Sequence, residues 1–288
     1  MVYLKNFTLL DEIQEHNIVC SEERRRIFNS NYPLSLFSSK SFKDISFDRI
    51  TILYGGNGSG KTTLMNMISQ KLNASRKSEI DKGSYFDLYV KHCEYEMSFD
   101  RPVEIKLITS DDVFDYLLDV RSINASVNRQ KERLSKEYID YKFNNHSNSF
   151  DTYDELKTSY DVRRKSMSKF VRERLSNNNM VEWSNGESAL MFWEREIKED
   201  SLYILDEPEN SLSAENQLKL KKFIEDSVRF YNCQFIISTH SPFLLKLMDA
   251  KIYDLDECPV TTKKWSELLN VLLYYNFFKE NEDEFNKK

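Results

Sequence analysis

An apolar run, Ile50 to Tyr54, breaks into Gly55-Gly56-Asn57-Gly58-Ser59-Gly60-Lys61-Thr62-Thr63, and residues 62–72 then read as a helix. Gly55 to Thr62 matches G-x-x-x-x-G-K-[ST], a strand, a glycine turn and a helix in that order. Successive N–H groups of such a turn form an anion nest, and the helix N-terminus adds free donors and the positive end of its dipole. The pattern therefore wraps Asn57, Gly58, Ser59, Gly60, Lys61, Thr62 and Thr63 around a polyphosphate. Lys61 is placed to reach the β- and γ-phosphates, and the Thr62 hydroxyl to ligate Mg²⁺. Glycine usage agrees. The chain has six glycines, of which four lie here, one is Gly186 and the last is Gly83. A chain this sparing concentrates glycine where backbone must approach a ligand or adopt positive φ.

Two carboxylates follow a second apolar run, Leu202-Tyr203-Ile204-Leu205-Asp206-Glu207-Pro208, and Pro208 forces a turn. A strand end is where a nucleotide-bound metal needs acid groups. Asp206 is the candidate Mg²⁺ ligand and Glu207 the candidate general base. A third apolar run, Gln234 to Ser238, ends at Thr239-His240-Ser241-Pro242, so His240 is a candidate contact to the γ-phosphate and the attacking water. Between these segments, Ser184-Asn185-Gly186-Glu187 has capping-box spacing and opens a helix over 188–198.

With 288 residues and 40% of them hydrophobic, the chain can bury a sizeable core. No apolar run reaches the length of a transmembrane helix, and the first residues lack a signal-peptide core, which predicts a cytoplasmic protein without a membrane partner. Cys20, Cys93, Cys233 and Cys258 form no C-x-x-C pair, so neither a zinc hook nor a redox couple is encoded, and Cys233 reads as a core residue. The net charge of −6 argues against a protein that coats nucleic acid. Residues 121–175, however, hold 13 Lys/Arg against 8 Asp/Glu, which is +5 and leaves −11 for the rest.

Residues 1–54 read as short strands and turns, including an alternating strand over 3–9. Tyr85–Val90, Tyr95–Phe99 and Val103–Thr109 read as strands, and a helix begins at Asp111. Residues 121–182 read as an inserted helical hairpin with arms of roughly 25–37 Å at 1.5 Å per residue. One arm places Ile123, Val127, Leu134, Tyr138 and Tyr141 on a face, the other Tyr153, Leu156, Tyr160, Met167, Phe170 and Val171. Helices over 213–230 and 242–248, a strand over 251–255 and an amphipathic helix over 264–278 complete the chain.

In this order the motifs resemble an ATP-binding-cassette (ABC) ATPase head, with Walker A at Gly55–Thr62, a signature at Ser184–Glu187, Walker B at Asp206 with Glu207, and a switch at His240. The phrases Asp206-Glu207-Pro208-Glu209-Asn210-Ser211-Leu212-Ser213 and Ser238-Thr239-His240-Ser241-Pro242-Phe243 are similar to those of SMC, RecF and OLD-type heads and small stand-alone bacterial ATPases. The resemblance implies an α/β P-loop NTPase of ABC-ATPase type. Its mixed central sheet would be flanked by helices, within a single domain over 1–288 carrying a helical insertion at about 111–182. It also implies ATP and Mg²⁺ as ligands and an ATP-dependent homodimer. In that dimer Ser184 and Gly186 of one copy meet the phosphate held by Lys61 of the other, and turnover is coupled to DNA or an effector protein in DNA metabolism or phage defence.

Three departures stand out. The signature is Ser-Asn-Gly-Glu rather than Leu-Ser-Gly-Gly-Gln. No glutamine stands near Thr109–Asp112, where Asp111 or Asp112 is the candidate replacement. Asn210–Ser213 lacks the D-loop aspartate. An ATP-dependent assembly switch with little hydrolysis, or a transporter's nucleotide-binding subunit, would use the same core.

Overall fold

The computed structural model describes residues 1–22, 31–80, 82–143, 153–175, 185–210 and 212–286. The chain divides into two compact units, Met1–Phe114 with Asn185–Lys288, and Asp115–Ser184.

The first unit is built on a six-stranded sheet with the order β5-β6-β7-β3-β8-β9. Its strands are β3 (Ile50–Tyr54), β5 (Ile105–Thr109), β6 (Leu202–Asp206), β7 (Gln234–Ser238), β8 (Lys251–Asp254) and β9 (Thr261–Lys263). All neighbours are parallel except β9, which runs antiparallel to β8. Every residue of β3 and β7 is buried, as expected of parallel strands covered on both faces. A three-stranded antiparallel sheet holds β2 (Asp44–Ser46), β1 (Leu4–Thr8) and β4 (Glu94–Met97) in that order. A register shift between Leu4 and Asn6 interrupts the alternation, so that Tyr3 and Leu4 are both buried, with Phe7 and Leu9 beyond.

Leu4 and Phe7 share one core with Leu53, Ile204 and Ile236 of the large sheet. The same core takes Leu64, Met67 and Ile68 of α2 (Lys61–Lys71) and Phe86, Tyr89 and Val90 of α3 (Phe86–His92). Next along β6, Tyr203 points the other way, and its hydroxyl accepts from Lys198 N at 2.7 Å just beyond α7 (Asn185–Glu196). α8 (Ala214–Phe230), capped by the Ser213 hydroxyl, joins β6 to β7 and buries Leu220 and Ile224.

Several expected elements are corrected. Residues 12–22 form α1 (Glu12–Glu22), not strand or turn. Its start is a reciprocal box in which Gln14 N donates to Asp11 Oδ1 at 2.9 Å and Asp11 N to Gln14 Oε1 at 3.0 Å. Tyr85–Val90 is helical because its buried side chains recur at 85, 86, 89 and 90, a helical rather than a strand period. Residues 242–248 form linked turns, with Lys246 N bonded to Phe243 O and Leu247 N to Leu244 O, until Met248 N turns to Glu225 Oε1. The last helix splits into a short 3₁₀ turn (Trp265–Glu267) and α9 (Leu269–Glu280), followed by α10 (Glu282–Phe285). α9 is not amphipathic, since Leu269, Leu272, Leu273, Tyr274, Tyr275, Phe277 and Phe278 are all exposed. Cys233 is fully buried.

α4 (Ser110–Phe143) runs from the first unit into the second as one 34-residue helix, about 51 Å at 1.5 Å per residue and longer than either expected arm. The returning arm is broken into α5 (Tyr153–Arg164) and α6 (Met167–Arg174), where the Ser166 hydroxyl caps α6. The small core of this unit is Leu134, Tyr138, Val162 and Phe170. The expected face of α5 is displaced, because Tyr153, Leu156 and Tyr160 are exposed while Thr158 and Val162, four apart, turn inward.

Candidate functional site

Strand order alone gathers most of the candidate residues. β6, β7 and β3 are consecutive neighbours, so Asp206, Ser238 and Tyr54 end side by side at the carboxyl end of the sheet. Beyond the carboxyl ends of parallel strands is where open α/β sheets bind ligands. A cavity of about 400 Å³ lies there, lined by Asn57, Gly58, Ser59, Gly60, Lys61, Thr62 and Thr63 together with Glu207, Tyr32 and Leu36.

The loop geometry depends on Gly60. Its φ is 105°, and a Cβ there would lie 3.0 Å from the buried Phe37 ring, so both the backbone angle and the space require glycine. α2 starts immediately afterwards with Lys61. The buried Lys61 ammonium donates to Gly55 O at 2.6 Å and Gly56 O at 3.0 Å. Burial lowers its pKa, opposed by the nearby Glu207 and Asp206 carboxylates. Two residues that sequence reasoning missed brace this loop. Lys40 Nζ donates to Ser59 O at 2.8 Å and Leu255 O at 2.7 Å, and Asp256 Oδ2 accepts from Gly56 N at 2.7 Å.

Asp206 accepts hydrogen bonds from the hydroxyls of Ser238 and Thr62, while burial pushes its carboxyl pKa up. Thr62 and Asp206 thus meet directly, one hydroxyl and one carboxylate, which is the donor set a phosphate-bound Mg²⁺ uses. Among the described residues no cluster of three or more His, Cys, Asp or Glu is arranged to hold a metal unaided. A cation here would complete its shell with phosphate oxygens and water.

Glu207 adopts φ 48°, a left-handed conformation costing roughly 1–2 kcal/mol in a residue of this kind. Its N–H is held at Ser238 O, 3.1 Å, and Ser238 Oγ, 3.2 Å, and Asn210 Nδ2 donates to its Oε2 at 3.0 Å. His240 Nε2 lies 3.6 Å from Glu207 Oε1 and is a buried atom without a hydrogen-bond partner among the described residues. A ring nitrogen left free beside a carboxylate at the mouth of a phosphate loop fits a nucleotide phosphate or its attacking water.

Tyr3, Phe7, Tyr32, Phe37 and Phe42 are the aromatic residues ahead of the phosphate loop that the sequence leaves open as a platform for the base. Of these, Tyr3, Phe7, Phe37 and Phe42 are at most 4% exposed, whereas Tyr32 is 37% exposed and lines the cavity. Tyr32 donates to Thr63 Oγ1 at 2.8 Å and stacks on Phe86 at 6.4 Å between ring centroids. The remaining glycine finds its reason here, since a Cβ on Gly83 would lie 2.6 Å from Tyr32 O. Asp112 is not free for phosphate chemistry. Its Oδ2 accepts from Thr109 N at 2.8 Å and Thr109 Oγ1 at 3.0 Å, at the start of α4, while Asp111 is exposed. Ser184 lies outside the described residues, and Gly186 is in the first turn of α7.

Residues 33–257 match the family described as RecF/RecN/SMC N terminal domain. The chain belongs to that family. This agrees with the ABC-type head that the motifs resemble, and the match contains Gly55–Thr62, Asp206, Glu207 and His240. β9, α9 and α10 lie beyond it. Within the RecF/RecN/SMC N-terminal domain family the expected α/β P-loop fold, a mixed sheet flanked by helices, is the one observed. Among curated proteins the chain is similar to the lipoprotein-releasing system ATP-binding protein LolD of Buchnera aphidicola, with 27% identity over 76% of this chain and 87% of that one. Among solved structures it is similar to the SMC head domain from Thermotoga maritima, at 16% identity over 91% of this chain and 98% of that one, with a TM-score of 0.41. A nucleotide-free ATP-binding cassette from an ABC transporter matches at 15% identity over 88% and 87%, with a TM-score of 0.38. Those scores are too low to carry the fold, which rests on the strand order above. Among the described residues no helix is long and apolar enough to cross a membrane.

Proposed function

We propose that this protein is a cytosolic Mg²⁺-dependent ATPase in which two copies enclose ATP head to tail and couple its binding and hydrolysis to a partner. One observation carries the reading. The phosphate loop and Glu207 line one cavity at the ends of three neighbouring strands, where Asp206 stands beside Thr62 and the unpartnered His240 nitrogen lies 3.6 Å from Glu207 Oε1. Lys61 and the loop N–H groups hold the phosphates, and Glu207 takes a proton from the attacking water. Bound at Thr62 and Asp206, Mg²⁺ would neutralise phosphate charge. His240 orients the water and the terminal phosphate. Ser184 and Gly186 close the site from the second copy. Phosphate release from ATP that stops on chelation of Mg²⁺ tests this directly, and ATP bound without multiple turnovers would favour the assembly switch instead.

Tyr32 completes the site as the face on which the base stacks. Stacking is worth about 0.5–1.5 kcal/mol, so Tyr32→Ala should raise KM for ATP about 2- to 10-fold with kcat little changed, and Tyr32→Phe, which keeps the ring, should stay near wild type. Equal KM values for all three proteins in a steady-state assay would remove Tyr32 from the site.

DNA is the partner that the +5 charge of residues 121–175 favours. Part of that charge is internally balanced, because Lys165 pairs with Asp161 at 2.9 Å and Glu173 at 2.6 Å, and Arg174 with Glu137 at 3.2 Å. Arg163, Arg164 and Arg172 remain exposed. DNA affinity that does not fall with rising salt would exclude this contact. The likeness to LolD favours a second reading, a nucleotide-binding subunit for a membrane partner. Co-purification with a permease would support it.

A further inference from the structure

We infer that Asn270 is a positioning residue for hydrolysis, holding His240 in place from a C-terminal helix that lies outside the family match. The inference rests on the reading of His240 given above. His240 lies two residues beyond the end of β7, so its own N–H and C=O have left the ladder and need other partners. Both are taken by side chains. Glu209 Oε1 accepts from His240 N at 2.7 Å, and also from Thr239 Oγ1 at 2.6 Å and Ser241 N at 3.1 Å. On the other side, Asn270 Nδ2 donates to His240 O at 2.7 Å. Because the acceptor is a carbonyl, only the amide nitrogen of Asn270 can face it.

Asn270 is itself fixed. Its backbone N–H donates to the Tyr54 hydroxyl at 3.1 Å, and Tyr54 is the last residue of the strand that enters the phosphate loop. Five residues earlier, in the 3₁₀ turn ahead of α9, Trp265 Nε1 donates to Pro242 O at 3.0 Å. The C-terminal segment therefore grips two carbonyls of the 240–242 turn and one hydroxyl at the edge of the phosphate loop. The sheet supplies the strand that carries His240, but the angle at which the imidazole leaves it is set by Glu209 and Asn270 together. Removing Asn270 frees the carbonyl and leaves the peptide between 240 and 241 held only at its Ser241 N–H end, so that it can tilt and swing the ring away from Glu207. Displacements of about 1 Å at a reacting centre cost up to about 100-fold in rate.

The experiment compares wild type, His240→Ala, Asn270→Ala, Asn270→Asp, the His240→Ala/Asn270→Ala double variant and Asn276→Ala, an exposed control on the same helix. Asn270→Ala is expected to lower kcat about 10- to 100-fold and leave KM for ATP within about threefold, the pattern of lost transition-state positioning. Asn270→Asp, equal in size but unable to donate, falls as far. Asn276→Ala matches wild type, and the double variant is no slower than His240→Ala alone, as two residues acting through one group require. A second readout needs no turnover. Backbone amide exchange at residues 239–242 accelerates in Asn270→Ala and not in Asn276→Ala. Asn270→Ala with wild-type kcat, a further drop in the double variant, an equal loss in Asn276→Ala, or unchanged exchange at 239–242 overturns the inference. If His240→Ala itself keeps full kcat while exchange responds as expected, it is the hydrolytic role of His240 that fails, not the link from Asn270 to its backbone.

Discussion

Glu207→Gln protein binds ATP, fails to turn it over and accumulates as an ATP-bound dimer. The substitution changes an oxygen into an amide nitrogen and little else. Asn210 Nδ2 still finds an acceptor, since the glutamine oxygen can take the place of Oε2, and the backbone bonds from residue 207 to Ser238 do not involve the side chain. What disappears is the group able to accept a proton. General-base catalysis contributes about 10²–10⁴-fold, so phosphate release should fall by at least that lower bound while ATP affinity is kept. With Lys61, Thr62 and Asp206 untouched, ATP stays bound, and a dimer that depends on ATP persists because nothing removes its ligand. Steady-state phosphate release and light scattering after size exclusion, both in ATP and Mg²⁺, check the two halves separately. Turnover within about tenfold of wild type would take the base assignment away from Glu207. A protein that stays monomeric with ATP bound would remove the head-to-tail enclosure and leave the rest of the site standing.

The parts of this molecule that were legible in its sequence are those whose physics is local. Parallel strands covered on both faces must be continuous apolar runs, and β3, β6, β7 and β8 are found within a residue of where those runs place them. Phosphate loops need glycine, a lysine and a hydroxyl in fixed order, so Gly55–Thr62 announced itself. The misread elements had signals of the wrong strength. α1 carries only a faint apolar stripe, with Ile13 exposed and Ile18 buried, but its Asp11–Gln14 box was written in the sequence. α3 is rich in residues that favour strands, and only the spacing of Phe86, Tyr89 and Val90 betrays a helix. The residues that brace the site could not be found this way. Lys40 reaches Leu255 and Asp256 reaches Gly56 across about two hundred residues, and contacts of that range leave no period in a chain. Tyr32 was one of five equal candidates until burial of the other four singled it out.

Replacing Gln234 by leucine should be among the most damaging single changes outside the site, although leucine is nearly isosteric and the position is fully buried. Gln234 opens β7 at the foot of the large sheet, and its side chain is the polar joint between the two sheets. Its Oε1 accepts from Tyr3 N and Leu4 N, each at 2.8 Å, and its Nε2 donates to Leu4 O at 2.9 Å and Asp48 O at 3.0 Å. All four hydrogen-bonding positions of the amide are thus filled. A leucine satisfies none of them, and it strands two N–H groups and two carbonyls where water has little access. Each stranded group costs about 1–3 kcal/mol, and partial relaxation of the N-terminal strand recovers some of that, so a net loss of about 4 kcal/mol is expected. In a protein of this size that corresponds to a fall in melting temperature on the order of 10 °C. Gln234→Glu offers no rescue, because an ionised carboxylate can still accept from Tyr3 and Leu4 but faces the carbonyls of Leu4 and Asp48 with no proton to give. Calorimetry of the two variants gives the size of the effect, and amide exchange at residues 3–8 its location. A melting temperature within about 2 °C of wild type would mean that the small sheet is held by its apolar face alone, through Leu4, Phe7 and Leu9, and that the amide joint is dispensable.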